Sequence, residues 1–324
     1  MTAHDPNAFD PLILAALAIP DHRLRAICRQ LAPAVKKRFT TPVLATVLID
    51  ARKDGTTFRA TDLDTEITVT AEDLTCAAPF KACVPFALLR RLASSLDGVI
   101  SFTHTAGKRQ DELNRLTLAT DDGCSATINL LCTPEDFPEW RPPAENAPDD
   151  WTTIIASPAQ LRRMLDLSRP CVSTDETRYY LNGVYLCQKP EGSTLRAVAT
   201  DGHRMAVIDG PIACAAPVAA ILPTGLVKTL ITLIDPKGND PVTLRLHKIR
   251  ARITAGPITV EAKLIDGTFP DYTRVLPTVT PKLSITVNAI TLRRLTPFAT
   301  QRSMAVRFSE GKASLDSPGD GGAI

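Results

Sequence analysis

Short segments of this chain recur at intervals of 131 to 139 residues, and this recurrence limits the folds open to it. Leu24–Cys28 returns in altered form as Leu161–Leu165, and a third version is Leu292–Leu295. Further segments recur at nearly the same interval: Thr61–Leu63 with Thr200–Gly202, Leu88–Leu92 with Leu226–Leu230, and Phe137–Trp140 with Phe269–Tyr272. An interval of this length is the size of a whole domain, so the sequence predicts related domains in tandem.

Each repeat has the pattern of a helix, strands, a second helix and more strands, which predicts an α+β fold. The predicted helices cover residues 22–38, 84–96, 157–169, 223–234 and 288–302. Ser157 precedes Pro158, and this pair favours a helix start because serine accepts from free amides and proline loses no bond there. Asn288 is placed to cap the third-repeat helix in the same way. The alternation in Thr65–Thr70 is typical of a half-exposed strand.

The composition is that of a globular protein with aliphatic cores. The 324 residues suffice for two or three domains, and only 5% of them are aromatic. No apolar run approaches the roughly 20 residues of a membrane span, and the N-terminus lacks a signal-peptide pattern, so we expect a cytoplasmic protein. The eight cysteines form no C-x-x-C pair and have no histidine at ligand spacing. We therefore expect reduced, buried thiols, no metal site and no cofactor.

Two segments carry a resemblance to a known family: Ala199–Val207 (ATDGHRMAV) and Phe269–Pro277 (FPDYTRVLP). Together they resemble the second-domain signature of the beta sliding clamp, the processivity ring of bacterial DNA polymerase III. The resemblance covers about residues 23–317 and is fragmentary in the third repeat. It implies tandem DNA-clamp domains, each with two helices on one face of antiparallel β-sheets. The implied limits are an N-terminal extension at 1–22, clamp domains at 23–145 and 146–278, and an incomplete third domain at 279–324.

Positive charge is concentrated on the predicted helices, which carry a net charge of +14 in a chain of formal net charge +2. One interpretation is that these are ordinary solvated faces. In a clamp, however, the helices line the central hole, where lysine and arginine meet phosphates without reading sequence. The resulting candidate DNA contacts are Arg25, Arg29, Arg38, Arg162, Arg163, Arg178 and Tyr179. Tyr180, beside them, either joins this set or packs against Leu181.

The resemblance also implies a groove on the second domain that binds short apolar peptides of partner proteins. The matching positions are Leu181, Thr200, Gly202, His203, Arg204, Met205, Pro270, Arg274 and Val275. Apolar side chains would form the floor, and the two arginines would bind peptide carbonyls or an acidic residue. For Asp201 and Gly202 the preferred interpretation is a plain turn, because aspartate bonds its own backbone and glycine takes positive φ.

The resemblance implies a non-catalytic accessory subunit of the DNA polymerase III holoenzyme. His203 near Asp201 and Asp209 would suit hydrolysis or a metal, but no nucleophile elbow, second histidine or phosphate-binding loop accompanies them. The partners that the resemblance implies are double-stranded DNA, the polymerase catalytic subunit, the clamp loader and other proteins with a clamp-binding motif. A second copy of the chain is also expected from the family, whose ring is a head-to-tail homodimer.

The third repeat is short, since only 44 residues remain from residue 281, against the roughly 130 that a repeat of this kind needs. Half a domain exposes sheet edges and part of a core, which predicts against an ordinary closed dimer ring. The alternative function is a non-encircling interaction module that competes for clamp-binding peptides. A gene remnant without function is the third possibility.

Overall fold

The computed structural model describes residues 17–35, 41–105, 113–140, 151–277, 286–295, 305–309 and 312–316. The chain divides into two units, Met1–Phe269 and Pro270–Ile324. The first unit therefore contains the first two repeats up to Phe269, and the second begins within the Phe269–Pro277 segment.

Helices lie at all five predicted places. In the described residues they are α1 (Asp21–Leu31), α2 (Phe86–Ser95), α3 (Pro158–Ser168), α4 (Thr224–Leu233) and, in the second unit, α5 (Ala289–Leu295). The first is much shorter than the predicted 22–38, because Pro33 has no amide hydrogen to continue it. The chain closes instead in a 3-10 turn over Ala32–Ala34.

The two predicted helix caps differ in outcome. The amide of Ile290 donates to Asn288 Oδ1 at 2.9 Å, so the predicted cap of α5 is confirmed. The Ser157 side chain makes no capping bond, so that prediction is wrong. Its backbone carbonyl instead accepts from the amide of Leu161 at 3.0 Å, and Pro158 still begins α3.

The strands pair antiparallel throughout the described residues. In the first unit they are β1 (Leu17–Pro20), β2 (Thr46–Arg52), β3 (Gly55–Thr61), β4 (Thr65–Ala71), β5 (Phe80–Pro85), β6 (Val99–Thr105), β7 (Arg115–Thr120), β8 (Ser125–Asn129), β9 (Thr152–Ala156), β10 (Gly183–Gln188), β11 (Thr194–Thr200), β12 (Met205–Ala213), β13 (Ala219–Pro223), β14 (Val242–Leu246), β15 (Arg250–Ala255) and β16 (Ile258–Lys263). In the second unit, β17 (Ala305–Ser309) pairs with β18 (Lys312–Asp316).

The sheet orders of the first unit show the repeat directly. One sheet has the order β1-β6-β7-β8, a second has β12-β11-β10-β13, and an eight-stranded sheet has β5-β2-β3-β4-β16-β15-β14-β9. Strands β5-β2-β3-β4 of the first repeat thus correspond to β13-β10-β11-β12 of the second. Likewise β1-β6-β7-β8 corresponds to β9-β14-β15-β16. Leu17–Pro20, within the segment expected to be an extension, forms an edge strand equivalent to β9. The α+β architecture with antiparallel sheets is confirmed.

The two repeats join where β4 pairs with β16, and this places Glu66 opposite Glu261. Arg59 binds both carboxylate oxygens of Glu66, each at 3.1 Å, and Arg252 Nε lies 3.7 Å from Glu261. Burial raises the pKa of both carboxyls, and the neighbouring arginines oppose that shift. Two like charges are tolerated across the strand pair because each has its own guanidinium.

Helices α1 to α4 each bury one apolar face against the sheets of their own repeat. Leu161, Met164 and Leu165 of α3 are buried where the helix packs on β12. Gly210 leaves room for this contact, because a Cβ at that position would clash with Met164 Sδ. In the first repeat, α1 packs against α2 and β4 in the equivalent arrangement. The repeat therefore fixes where each helix presents its polar face.

Candidate functional site

Arg25 on α1 binds the C-terminal end of α2. Its Nε donates to the carbonyl oxygen of Ala93 at 2.7 Å, and its Nη2 donates to that of Leu96 at 3.2 Å. The same Nη2 lies 2.9 Å from Asp21 Oδ2 and 2.8 Å from Asp97 Oδ1. The last carbonyls of a helix lack partners within it and carry the negative end of its dipole. A guanidinium there joins the two helices.

Arg162 has the equivalent place in the second repeat. Its Nη1 donates to the carbonyl oxygen of Ile234, which follows α4, at 2.8 Å. Arg25 and Arg162 are 137 residues apart, and Leu96 and Ile234 are 138 apart, so the bond repeats with the domains. Sequence reasoning missed this structural role, although the shared interval between arginine and helix end was a usable signal. The predicted DNA contact of these two arginines stays a prediction.

Five other cations on α1 to α4 are exposed to solvent. Arg29 on α1 and Arg163 on α3 are exposed, and neither has an ion-pair partner among the described residues. Three further side chains on α2 and α4 share these properties: Arg90, Arg91 and Lys228. Because no carboxylate of the described chain occupies them, these side chains can bind an external anion such as a phosphate without first breaking an ion pair.

The turn Thr200–Arg204, between β11 and β12, is organised by Asp201. Its Oδ1 accepts from the amides of His203 and Arg204, each at 2.9 Å, and its Oδ2 accepts from Arg204 Nε at 3.0 Å. These bonds, the amide of Arg204 first, lower the pKa of Asp201 to about 2. Gly202 has a φ of 90°, which favours glycine, so the turn interpretation of these residues is confirmed. His203 and Arg204 are exposed on this turn.

Arg178 lies directly over Gly202. Its Nη1 would be 2.8 Å from a Cβ placed on that glycine, so the missing side chain makes room for the guanidinium. Its Nε donates to Asp175 Oδ2 at 2.9 Å. The hydroxyl and amide of Thr177, followed by Arg178, lower the pKa of Asp175 to about 2. A candidate DNA contact and a candidate groove residue thus touch each other, which the sequence did not indicate.

The residues flanking this turn differ in exposure. Tyr179 is 53% exposed and meets the Tyr180 ring edge-on, with centroids 5.7 Å apart. Leu181 is buried, whereas Met205 at the start of β12 is half-buried and pairs with Thr200. Within the first unit, Met205 is therefore more accessible to a ligand than Leu181.

The second unit begins with the rest of the predicted groove residues. They are exposed: Pro270, Arg274 and Val275. Tyr272–Val275 forms a 3-10 turn, and Asp271 caps it by accepting from the amide of Thr273 at 3.1 Å. Tyr272 is buried, so this turn is held by one aromatic side chain and one cap.

Several other predictions have mixed outcomes. Arg38 lies outside the described residues. Across the described ranges, no group of three or more His, Cys, Asp or Glu is arranged to hold a metal ion, and no helix has the length and apolarity to cross a membrane. Burial raises the pKa of the Cys28 thiol to about 12. The prediction of burial is wrong for Cys124, because it follows the exposed Asp122–Gly123 turn between β7 and β8.

Comparison with known proteins points to one family. A family model described as the central domain of the DNA polymerase III beta subunit matches residues 156–271. The chain is 30% identical over 298 residues to the beta sliding clamp of Caulobacter vibrioides (strain NA1000 / CB15N), covering 87% of this chain and 75% of that protein. It is 34% identical over 259 residues to the beta sliding clamp of Pseudomonas aeruginosa, covering 78% of this chain and 66% of that protein.

A solved structure is similar over nearly the same span. It is the sliding clamp (DNA polymerase III subunit beta) of Bartonella birtlesii bound to griselimycin, with a TM-score of 0.77 and 26% identity. The match covers 96% of this chain and 82% of that one. The region matched by the family model contains the Thr200–Arg204 turn and both helices of the second repeat.

Proposed function

The chain belongs to the beta sliding clamp family of DNA polymerase III, and on this premise we propose that it is a processivity factor of DNA replication. It holds the replicative polymerase on duplex DNA and performs no catalysis itself. The observation that carries the proposal is the likeness to sliding clamps along nearly the whole chain. Replication takes place in the bacterial cytoplasm, which is where we expect the protein to act.

We propose that Arg29 and Arg163 contact the DNA backbone. They are exposed on helices of equivalent position, and no described carboxylate competes for them. Arg25 and Arg162 act in this proposal mainly by holding those helices in place. The remaining candidates are Arg38, Arg178 and Tyr179. Contacts of this kind read no sequence and weaken with salt, by a slope of about 0.9 per phosphate in the logarithm of affinity.

We propose that partner peptides bind beside the Thr200–Arg204 turn. Met205 and Leu181 supply apolar surface, and exposed His203 and Arg204 supply polar contacts. The family resemblance adds Pro270, Arg274 and Val275 of the second unit. The Asp201 bonds support this assignment, because they fix the turn before a peptide arrives and so lower the cost of ordering it. The peptides would come from the polymerase catalytic subunit, the clamp loader and other clamp-binding proteins.

We propose three clamp domains, with limits near residues 145 and 278 and with β1 included in the first. A tether that encircles DNA needs a closed ring. Two copies of the chain form such a ring only if both head-to-tail contacts between them are made. The tethering role is therefore incompatible with the expectation, drawn from the short third repeat, that no closed dimer ring forms. The sliding-clamp relatives favour the tethering role over that of a competing interaction module.

Primer extension tests the proposal. The polymerase III and clamp loader of the source organism would extend a primed circular template in the presence of excess trap DNA, with and without the full chain. Addition of the protein should lengthen the products, and Met205→Ala should reduce that effect. Leu131→Ala is the matched control, because Leu131 is 73% exposed and lies outside the proposed groove. Unchanged product length with the wild-type protein would refute the proposal.

A further inference from the structure

A single pair of strands joins the sheets of the two repeats. Strand β4 of the first repeat pairs antiparallel with β16 of the second, so that Ile67 lies opposite Val260 and Val69 lies opposite Ile258. All four side chains are at most 5% exposed. The junction therefore satisfies the backbone of both strand edges and buries the apolar face that they share.

The equivalents of these two strands are both sheet edges. Strand β12 has the place of β4 in the second repeat, and β8 has the place of β16 in the first. Within the described ranges, β12 pairs only with β11, and β8 pairs only with β7. An edge strand presents unpaired N–H and C=O groups to which a strand of another chain can add. The first unit thus carries both halves of a second junction of the same kind.

The burial of β12 shows that it lacks the neighbour that β4 has. The 139-residue interval of the two turns places Ala206 and Ile208 where the first repeat has Ile67 and Val69. The residues of β12 are half-buried, whereas those of β4 are 0% and 3% exposed. Met205–Ile208 is a run of four apolar residues without the charge or proline that commonly protects an open edge. This edge is therefore suited to pairing.

The side chains of β8 complement this edge. Strand β8 aligns with β16 by the 132-residue interval that also separates the two Phe-Pro segments. In the register of the existing junction, Ile128 would then lie opposite Ala206, and Ala126 would lie opposite Ile208. In each pair a large side chain faces a small one, which fills the space between the strands without overlap.

The opposite face of the two strands is neutral. The junction between β4 and β16 places Glu66 opposite Glu261, and each of these carboxylates has an arginine beside it. The same register would place Met205 opposite Asn129. Ser125–Asn129 contains no charged residue and no proline, so pairing this edge would bury no charge and would lose no backbone donor.

We propose that β12 of one copy of the chain pairs antiparallel with β8 of a second copy, as β4 pairs with β16 within the chain. The contact is head-to-tail, because each copy offers β12 to one neighbour and β8 to another. Repeated contacts of this kind close into a ring when the successive rotations complete a full turn. The argument depends on the strand edges and not on the proposed function, although a ring of copies would serve that function.

Sedimentation of the full chain between about 1 and 100 µM tests the contact, because one strand pair is a small interface and should associate in the micromolar range. The mass should rise with concentration from the 35.0 kDa of one copy towards a multiple of it. Thr127→Lys places a cation on the exposed edge of β8 and should weaken association about tenfold or more. Thr117→Lys is the matched control, because Thr117 lies on the interior strand β7 and its hydroxyl bonds that of Thr127 at 3.0 Å. Both variants lose this bond, but only Thr127→Lys changes the edge.

A second variant identifies which strands meet. Val207→Glu on β12 should also weaken association, and Thr127→Lys with Val207→Glu in one chain should restore it, because the two introduced charges face each other in the proposed register. If β12 instead paired with β12 of another copy, Val207→Glu would weaken association, Thr127→Lys would not, and the double variant would not restore it. That pattern would overturn the proposal, as would the mass of a single copy at about 100 µM. Circular dichroism of each variant controls for unfolding.

The same proteins separate this proposal from the proposed function. If the variants change the mass as expected while the wild-type chain fails to lengthen primer-extension products, the strand contact stands and the proposed function falls. If the products lengthen while Thr127→Lys leaves the mass unchanged, the strand contact is refuted and the proposed function stands.

Discussion

Arg162 and Arg163 are neighbours on α3, and replacing each by methionine should give opposite results. Arg162 donates to the carbonyl of Ile234 at 2.8 Å, and methionine keeps the aliphatic stem but removes that bond. A hydrogen bond from a charged group contributes about 1.5–3 kcal/mol to the free energy of unfolding. In a protein of this size, each 1 kcal/mol shifts Tm by about 2–4 °C, so Arg162→Met should lower Tm by roughly 3–12 °C.

Arg163 is exposed and makes no ion pair with described residues, so Arg163→Met should change the free energy of unfolding by less than about 0.5 kcal/mol. If it contacts one phosphate, its loss should instead reduce the slope of log affinity against log salt by about 0.9. Urea unfolding measures the free energy of unfolding. Fluorescence anisotropy with duplex DNA between about 50 and 200 mM salt measures the salt slope of the affinity. Arg169→Met, at the exposed residue just after α3, controls for loss of one charge.

Two results would refute this reasoning. Unchanged stability in Arg162→Met would show that the bond between α3 and the end of α4 contributes nothing. A salt slope that falls in Arg162→Met but not in Arg163→Met would show that the two arginines have been assigned the wrong roles.

Three further predictions concern charge and packing. The pKa of Asp201, about 2, lies below its unfolded value near 4, so its carboxylate stabilises the fold above pH ~4, and that contribution is lost as pH falls towards 2. Asp201→Ala should therefore lower the free energy of unfolding in urea at pH 7. It should also make that free energy less dependent on pH between about pH 4 and 2. Burial raises the pKa of Glu66 and Glu261, so stability should decrease as pH rises through these raised values, and Glu261→Gln should increase stability at pH 7 and weaken this dependence. Gly210→Ala places a Cβ against the sulfur of the buried Met164 and should lower the free energy of unfolding by about 1–3 kcal/mol, as measured by calorimetry. Equal stability of Gly210→Ala and the wild type would contradict the close packing of α3 on β12.

The sequence predicted the elements that depend on local pattern and on the repeat. Helix positions follow from apolar spacing, and the turn at Asp201–Gly202 follows from the conformations those two residues prefer. The predicted end of the first helix at residue 38 was wrong, because Pro33 has no donor to continue α1 beyond Leu31.

Residue type and charge alone do not predict contacts with backbone carbonyls far along the chain; only the shared interval of the repeat points to them. Arg25 binds Ala93 and Leu96, partners that no residue type reveals. An exposed arginine and a helix-joining arginine look alike in a one-dimensional charge count, so that count does not separate Arg25 and Arg162 from the exposed cations of the same helices. The contact of Arg178 with Gly202 was hidden for the same reason, because a guanidinium over a glycine leaves no signature in either residue.

Retention on circular DNA tests the central claim most directly. The full chain would be loaded by the clamp loader onto nicked circular duplex DNA, and its retention would be compared before and after linearisation at low and high salt. A sliding clamp should stay on circles at both salt concentrations and should be released when the circle is cut. Equal, salt-sensitive binding to circular and linear DNA, or no binding, would contradict the account and would favour an interaction module that never encircles DNA.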